Sequence, residues 1–276
     1  NPTLLSDTGT TSAGGELNVQ VQTVRTAGRP YTYVFEAEVE DVSRQRIAGR
    51  ASRLVHPAPW YVGVKRVPYF ADQKTGVQTA LIAVTPEGVV TPGVAITVEL
   101  KQVQWNSVRR AEGGGFYTWD TERRVIVAGS WTVTTGAEPV PLTVPLPSGG
   151  SFLLTATARD SEGRSTVTTS SFYVLGAGYT AWMRYDHNRI DLVPERATYK
   201  PGDTARIMIK SPWERATALL TTEREGIRSE RRFTLTSTQQ TVTVPITEAD
   251  IPNVFVSVVL IKGRTGTDTP DDASDP

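Results

Sequence analysis

The side chains that most often carry chemistry are scarce in this chain, and their positions restrict what they can do. It holds two histidines, His56 in VHPAPW and His187 in RYDHNR, and no cysteine. A serine-type triad needs a histidine bonded to a serine on one side and a carboxylate on the other. Both histidines fall in short Pro-rich or charged stretches between strand-like segments, which read as joins between units. A zinc site needs three or four His, Cys or carboxylate ligands, and two separated histidines give it little support. The lack of cysteine removes disulfides, thiolate metal sites and cysteine nucleophiles together. Carboxylates occur in sets: Glu36, Glu38 and Glu40 share one face of a strand-like run. A glycosidase sets two acids across a cleft, whereas these three read as a solvated face. Asp268, Asp271, Asp272 and Asp275 are oxygen ligands of the kind calcium takes. Their spacing matches no EF-hand loop, and Pro270 and Pro276 point to a linker. There is no Walker motif, no Gly-rich phosphate loop and no G-x-S-x-G elbow. The expectation is a protein that is not an enzyme and carries no cofactor and no metal.

Two further groups stand out between Trp105 and Trp131, in WNSVRRAEGGGFYTWDTERRVIVAGSW. Trp105, Tyr117, Trp119 and Trp131 have the composition of an aromatic platform for a sugar. They equally suit cross-strand pairs at one end of a sandwich. The stretch Arg109-Arg110-Ala111-Glu112-Gly113-Gly114-Gly115 reads as an exposed loop, and its dibasic pair would suit a trypsin-like protease. Arg264, at the start of the acidic tail, is a second candidate cleavage point.

These residues must be held by β-structure. In YTYVFEAEVEDVSRQ, Tyr33, Phe35, Ala37 and Val39 alternate with Val34, Glu36, Glu38 and Glu40, the period-two pattern of a half-buried strand. Asp41 to Gln45 reads as a turn, and Ile47 to Val55 as the return. The device recurs in GSFLLTATARDSEGR, where Phe152, Leu154, Ala156 and Ala158 face one way and Asp160 to Gly163 turn the chain. A third version is NVFVSVVLIKGRTG, read with Phe255 in register with Phe152 and Tyr33. A second repeated device opens units: YKPGDTARIMI resembles YFADQKTGVQTALIAV. In the former, Pro201 fixes φ and Gly202 supplies the positive φ of a type II turn. Ala205, Ile207 and Ile209 then face inward, Arg206, Met208 and Lys210 face outward or sit at an edge, and Ser211-Pro212 ends the strand. The best helix candidate, Glu248 to Ile251 behind Thr247, is cut at Pro252 and amounts to one turn.

Many short strands with turn signals and no convincing helix predict an all-β array of antiparallel sandwiches of the fibronectin or Ig type. The recurrences predict three parts. Residues 1–57 hold an N-terminal linker and the closing strands of a truncated unit, 58–175 form one sandwich, and 176–276 form another with an acidic tail. The joins near 56–60 and 176–190 are short and rich in aromatics, so they are expected to pack on their neighbours. Lys+Arg and Asp+Glu are each 29, so the formal net charge is zero. That lacks the basic excess usual in nucleic-acid binders. No run approaches the roughly 18 apolar residues of a membrane span, and the polar opening NPTLLSDTGTTSAGG is not a signal peptide.

At Tyr199 to Ala205, Lys210 to Trp213 and Ala218 to Gly226, the sequence resembles the macroglobulin-like domains of bacterial alpha-2-macroglobulins. Residues 39–64 and 156–164 also resemble that family, and their order along the chain matches its pattern. The resemblance implies tandem macroglobulin-like sandwiches from a periplasmic, cell-surface lipoprotein or secreted protein that traps proteases by conformational collapse. Its partners would be proteases, met through the full-length parent, and neighbouring macroglobulin-like domains. The family's thioester motif, Cys-Gly-Glu-Gln, requires a cysteine and is absent here, and no segment reads plainly as the bait. The alternative is an Ig-like binding module, of carbohydrate or adhesin type, using the Trp105 to Trp131 aromatics.

Overall fold

A computed structural model describes residues 3–23, 28–112, 117–176, 179–185 and 187–263. The chain forms strands β1 (Tyr31–Glu40), β2 (Arg46–Val55), β3 (Tyr61–Val64), β4 (Phe70–Asp72), β5 (Val77–Val84), β6 (Ala95–Ala111), β7 (Tyr117–Thr134) and β8 (Val140–Val144). They are followed by β9 (Gly150–Arg159), β10 (Ser165–Leu175), β11 (Asp191–Pro194), β12 (Thr204–Lys210), β13 (Ala216–Glu223), β14 (Ile227–Leu235), β15 (Thr241–Pro245) and β16 (Phe255–Ile261). Helical structure among the described residues is one 3-10 turn, Glu248–Asp250, closed by a capping box between Thr247 and Asp250.

The strands build two sandwiches and a hairpin. In the first sandwich the sheet β3-β5-β8 faces the sheet β4-β10-β9-β6-β7. Val77, Leu81, Ala83 and Val144 from one sheet pack against Ile96, Val98, Leu100, Phe152, Leu154, Ala156, Ala158 and Phe172 from the other. The second repeats this plan: β11-β12-β15 corresponds to β3-β5-β8, and β14-β13-β16 to β7-β6-β9. Its core is Ala205, Ile207, Ile209, Ala216, Ala218, Leu220, Leu235, Val242 and Val244. Pairing is antiparallel throughout, except that the short β4 runs parallel to β10. The β1/β2 hairpin stands as a two-stranded sheet exposed on both faces. On one face Glu36 meets Arg50, and Glu38 and Glu40 both meet Arg46. Tyr33, Phe35, Ala37 and Val39 hold the other face, so the three glutamates are indeed a charged strand face.

The hairpin turns are built alike because Asp begins both. The Asp41 Oδ1 accepts from the Ser43 and Gln45 amides at 2.8 and 2.9 Å, and the Asp160 Oδ1 from those of Glu162 and Arg164 at 3.0 and 2.8 Å. Bonds to the charged form hold the Asp41 carboxyl below its ordinary range, the Ser43 hydroxyl contributing most. Each turn then needs one residue in the left-handed region. Gly163 fills it at φ 78° in one turn, and Arg44 at φ 65° in the other. A side chain is penalised there and glycine is not. Arg44→Gly is therefore expected to stabilise the hairpin by about 0.5–1 kcal/mol, read as roughly two- to fivefold slower hydrogen exchange of the β1/β2 amides. Unchanged or faster exchange would show that Arg44 carries no backbone penalty.

Two expectations need correction. Phe255 does not occupy the place of Phe152. Phe152 lies opposite Gln102 on the core-facing side, whereas Phe255 lies opposite Glu223, and the core-facing Ala218 and Leu220 meet Leu260 and Val258. The inward set of β16 is therefore Val256, Val258 and Leu260. In addition, Met208 faces away from its own sandwich core yet is 0% exposed, because a neighbouring element covers it.

Candidate functional site

The element covering Met208 is the connector between the sandwiches. Trp182, Phe70 of β4 and Met208 of β12 form a separate buried cluster, flanked by Tyr173, Leu175 and Val193. Trp182 is 7% exposed. Its ring meets Tyr173 edge-on at 5.6 Å, and its indole N–H donates to the Thr238 carbonyl at 2.7 Å. That carbonyl also accepts from the Ser211 amide at 2.9 Å, while the Thr238 hydroxyl accepts from the Thr180 amide at 3.0 Å. The break after β12, at Ser211-Pro212, thus shapes the surface on which the connector lies.

Charges ring the cluster. The Arg206 guanidinium forks onto Asp72, with nitrogen to oxygen distances of 3.1 and 3.2 Å, and lies 5.2 Å from the Phe70 ring centre. Lys210 Nζ sits 2.5 Å from Asp191 and 5.0 and 5.3 Å from the Tyr173 and Trp182 ring centres. Burial alone would lower the Lys210 pKa, but its hydrogen bond to Asp191 and the neighbouring Tyr173 outweigh that and hold it above the usual value. Arg206 and Lys210 are the outward residues of β12, and their outward face is the joint. Backbone closes the rim: a Cβ on Gly176 would fall 2.5 Å from the Gly149 nitrogen, so the approach of these two segments requires glycine. Gln239 donates to the Gly176 carbonyl at 2.9 Å, and Gln73 to that of Pro147 at 2.8 Å.

The aromatics picked out in the sequence lie on β6 and β7, but not together. β6 pairs with β9 only from Ile96 to Val103. From Gln104 to Ala111 it pairs with β7 alone, as a two-stranded ribbon. The register shifts between Leu100 and Lys101, where β7 carries one extra residue, Ala128. A bulge of this kind changes which residues of the longer strand share a face. Trp131, opposite Val98, is thereby placed on the core side, where it packs against the main cluster. Trp105, Trp119 and Tyr117, opposite Arg123, Arg109 and Ala111, share the other face. Arginines already lie over two of these rings: Arg109 is 4.1 Å from the Tyr117 centre, and Arg184 is 5.5 Å from that of Trp119. The four rings of the alternative, sugar-platform reading are split by the bulge.

Arg109 and Arg110 are ladder residues of β6, paired with Trp119 and Thr118, rather than members of a loop; Arg110 also meets Asp120 at 2.7 Å. Residues 113–116 and Arg264, like the tail aspartates, lie outside the described residues. His56 Nδ1 is 2.6 Å from the Tyr61 hydroxyl. His187 stacks on Tyr185 at 4.9 Å and accepts from the Arg189 amide at 3.1 Å. Among the described residues, neither is bonded to a serine and a carboxylate in the triad pattern. Among the described residues no group of three or more His, Cys, Asp or Glu is placed to hold a metal ion. Nor is any helix there long and apolar enough to cross a membrane. The aromatic-rich join near 176–190 was expected to pack on its neighbours, and Trp182 does so; the sequence did not show which residues of the two sandwiches would receive it. The signal for the joint was Trp182, a large aromatic in a stretch otherwise typical of a connector.

Residues 190–270 match the family model described as the alpha-2-macroglobulin bait region domain. An alpha-2-macroglobulin homolog of Nostoc sp. is 24% identical over 84% of this chain, and one of Deinococcus radiodurans is 24% identical over 92%. The aligned stretches span 12% and 24% of those proteins. Among solved structures, native Escherichia coli alpha-2-macroglobulin aligns over 84% of this chain and 17% of its own, at 15% identity and a TM-score of 0.42.

Proposed function

We propose that this chain, which belongs to the alpha-2-macroglobulin family, is a non-enzymatic scaffold segment of a parent protein that traps proteases by conformational collapse. The match of residues 190–270 to a bait region domain carries this reading. In it, residues 58–175 and 176–276 are macroglobulin-like domains, and residues 1–57 contribute the closing strands of another. The domains hold a framework, and the joint passes a change in one sandwich to its neighbour. The parent works outside the cytoplasm, in the periplasm, at the cell surface as a lipoprotein or as a secreted protein. Its partners are proteases and adjacent macroglobulin-like domains.

Under limited trypsin, with cuts mapped by mass spectrometry, the first cut is expected after Arg264, ahead of Arg109 and Arg110. Proteases cut most readily at exposed loops, and both ribbon arginines are paired in a ladder, while Arg264 lies within the residues matched to the bait region domain. The full-length parent, incubated with the same protease, should leave activity on a small peptide intact and suppress it on a large protein. A first cut inside the ribbon would reassign the cleavage site. A parent that leaves protein substrates as readily cleaved as before would overturn the trapping reading.

A further inference from the structure

The ribbon beyond Val103 does more than extend a sheet. Among the described residues, it reaches the connector at Arg184. Ser107 of β6 and Thr121 of β7 are opposite each other in the ladder, and their hydroxyls are 3.0 Å apart. The Ser107 hydroxyl accepts from the Arg184 amide, and the Thr121 hydroxyl donates to the Arg184 carbonyl, each at 3.4 Å. The guanidinium of the same residue lies against Trp119 of the ribbon at 5.5 Å and donates to the Pro212 carbonyl of the second sandwich at 2.8 Å. Two residues earlier in the chain, Trp182 is buried in the joint cluster.

We propose that the β6/β7 ribbon is a strap that fixes the angle between the two sandwiches by gripping the connector at Arg184. The Trp182 cluster and the Arg206–Asp72 pair hold the sandwiches together, but a compact cluster still serves as a pivot. A second attachment displaced from that pivot removes the remaining rotation. Arg184 provides it, because one side chain touches the ribbon of the first sandwich and the backbone of the second. Rotation of the second sandwich about Trp182 drags Arg184 off Trp119, and displacement of the ribbon frees the rotation. This arrangement is a property of the joint and stands independently of protease trapping.

The absence of cysteine makes the test direct. Glu87→Cys and Glu230→Cys place spin labels on exposed positions of the two sandwiches, and the distance distribution between them is read by pulsed electron spin resonance. The strapped chain should give a single narrow distribution. Trp119→Ala, and separately Thr121→Val, should broaden it at least twofold while leaving the thermal unfolding of each sandwich in place. Arg184→Lys, which keeps the cation over Trp119, should recover part of the narrow distribution that Arg184→Ala loses. Should Trp119→Ala fail to fold, the milder Thr121→Val and the Arg184 pair still decide. Distributions as narrow as the parent's in Thr121→Val and Arg184→Ala would overturn the strap and leave the Trp182 cluster as sufficient to set the angle.

Discussion

Replacing Trp182 by alanine is expected to cost about 3–5 kcal/mol, the usual loss for truncating a buried Trp, and to divide one unfolding transition into two. The indole fills the space between Phe70 of the first sandwich and Met208 of the second. Its removal leaves a cavity that neither sandwich can close alone, since each contributes only part of the wall. The Thr238 carbonyl also loses a donor. Because the lost contacts belong to the joint, the sandwiches should then melt independently, each near its own intrinsic stability. Differential scanning calorimetry should resolve two endotherms in Trp182→Ala where the parent chain gives one. A single endotherm at the parent's midpoint would mean that the joint contributes little and that the sandwiches are already independent.

The second large effect separates two residues that the sequence aligns. Phe152→Ala should destabilise the first sandwich by about 3–5 kcal/mol, because the ring sits deep in the core. It is 1% exposed and stacks on Phe172 at 6.1 Å between ring centres. Phe255→Ala should cost about 0.5 kcal/mol or less, the usual range for surface substitutions, since that ring is 62% exposed. Urea unfolding of both variants, with midpoints compared at constant m, measures the contrast. Equal losses would mean that β16 pairs one residue out of the register described.

Much of the fold was legible because the signals were local. Alternation over Phe152 to Ala158 located β9 and its core face, and Asp160 to Gly163 located the turn that the Asp carboxylate organises. Lys200-Pro201-Gly202-Asp203 reads as a type II turn, and Gly202 has φ 90° with the Asp203 amide bonded to the Lys200 carbonyl. The errors share one cause, which is information held by a partner strand or a partner sandwich. On β16 nearly every residue is apolar, so alternation alone could not choose a face, and the pairing with β13 chose it. On β7 the odd-numbered aromatics 117, 119 and 131 appear to share a side, but Ala128 is a bulge residue that only the pairing with β6 reveals. Met208 reads as outward on β12, which is correct for its own sandwich and wrong for the protein. The same holds for the joint as a whole: Trp182, Arg206 and Lys210 belong to one site only after two separately folded units meet.

The glycine pair at the rim of the joint has a bearing on how such chains diversify. Gly149 precedes β9, and Gly176 opens the connector. Gly176 does not tolerate a Cβ in the present approach, since one added there would meet the Gly149 backbone, and one added at Gly149 would press on the Gln239 side chain and the Gly176 nitrogen. Repeated sandwiches invite recombination, in which one copy replaces another wholesale. Here a transplanted copy must bring a glycine before its ninth-strand equivalent and accept a connector that starts with glycine and carries a tryptophan six residues on. Exchange at the usual boundary, between the last strand of one unit and the first of the next, would part these requirements from one another. The natural unit of inheritance is therefore the sandwich together with the connector that follows it, and hybrids cut on the far side of Trp182 should be the ones that survive.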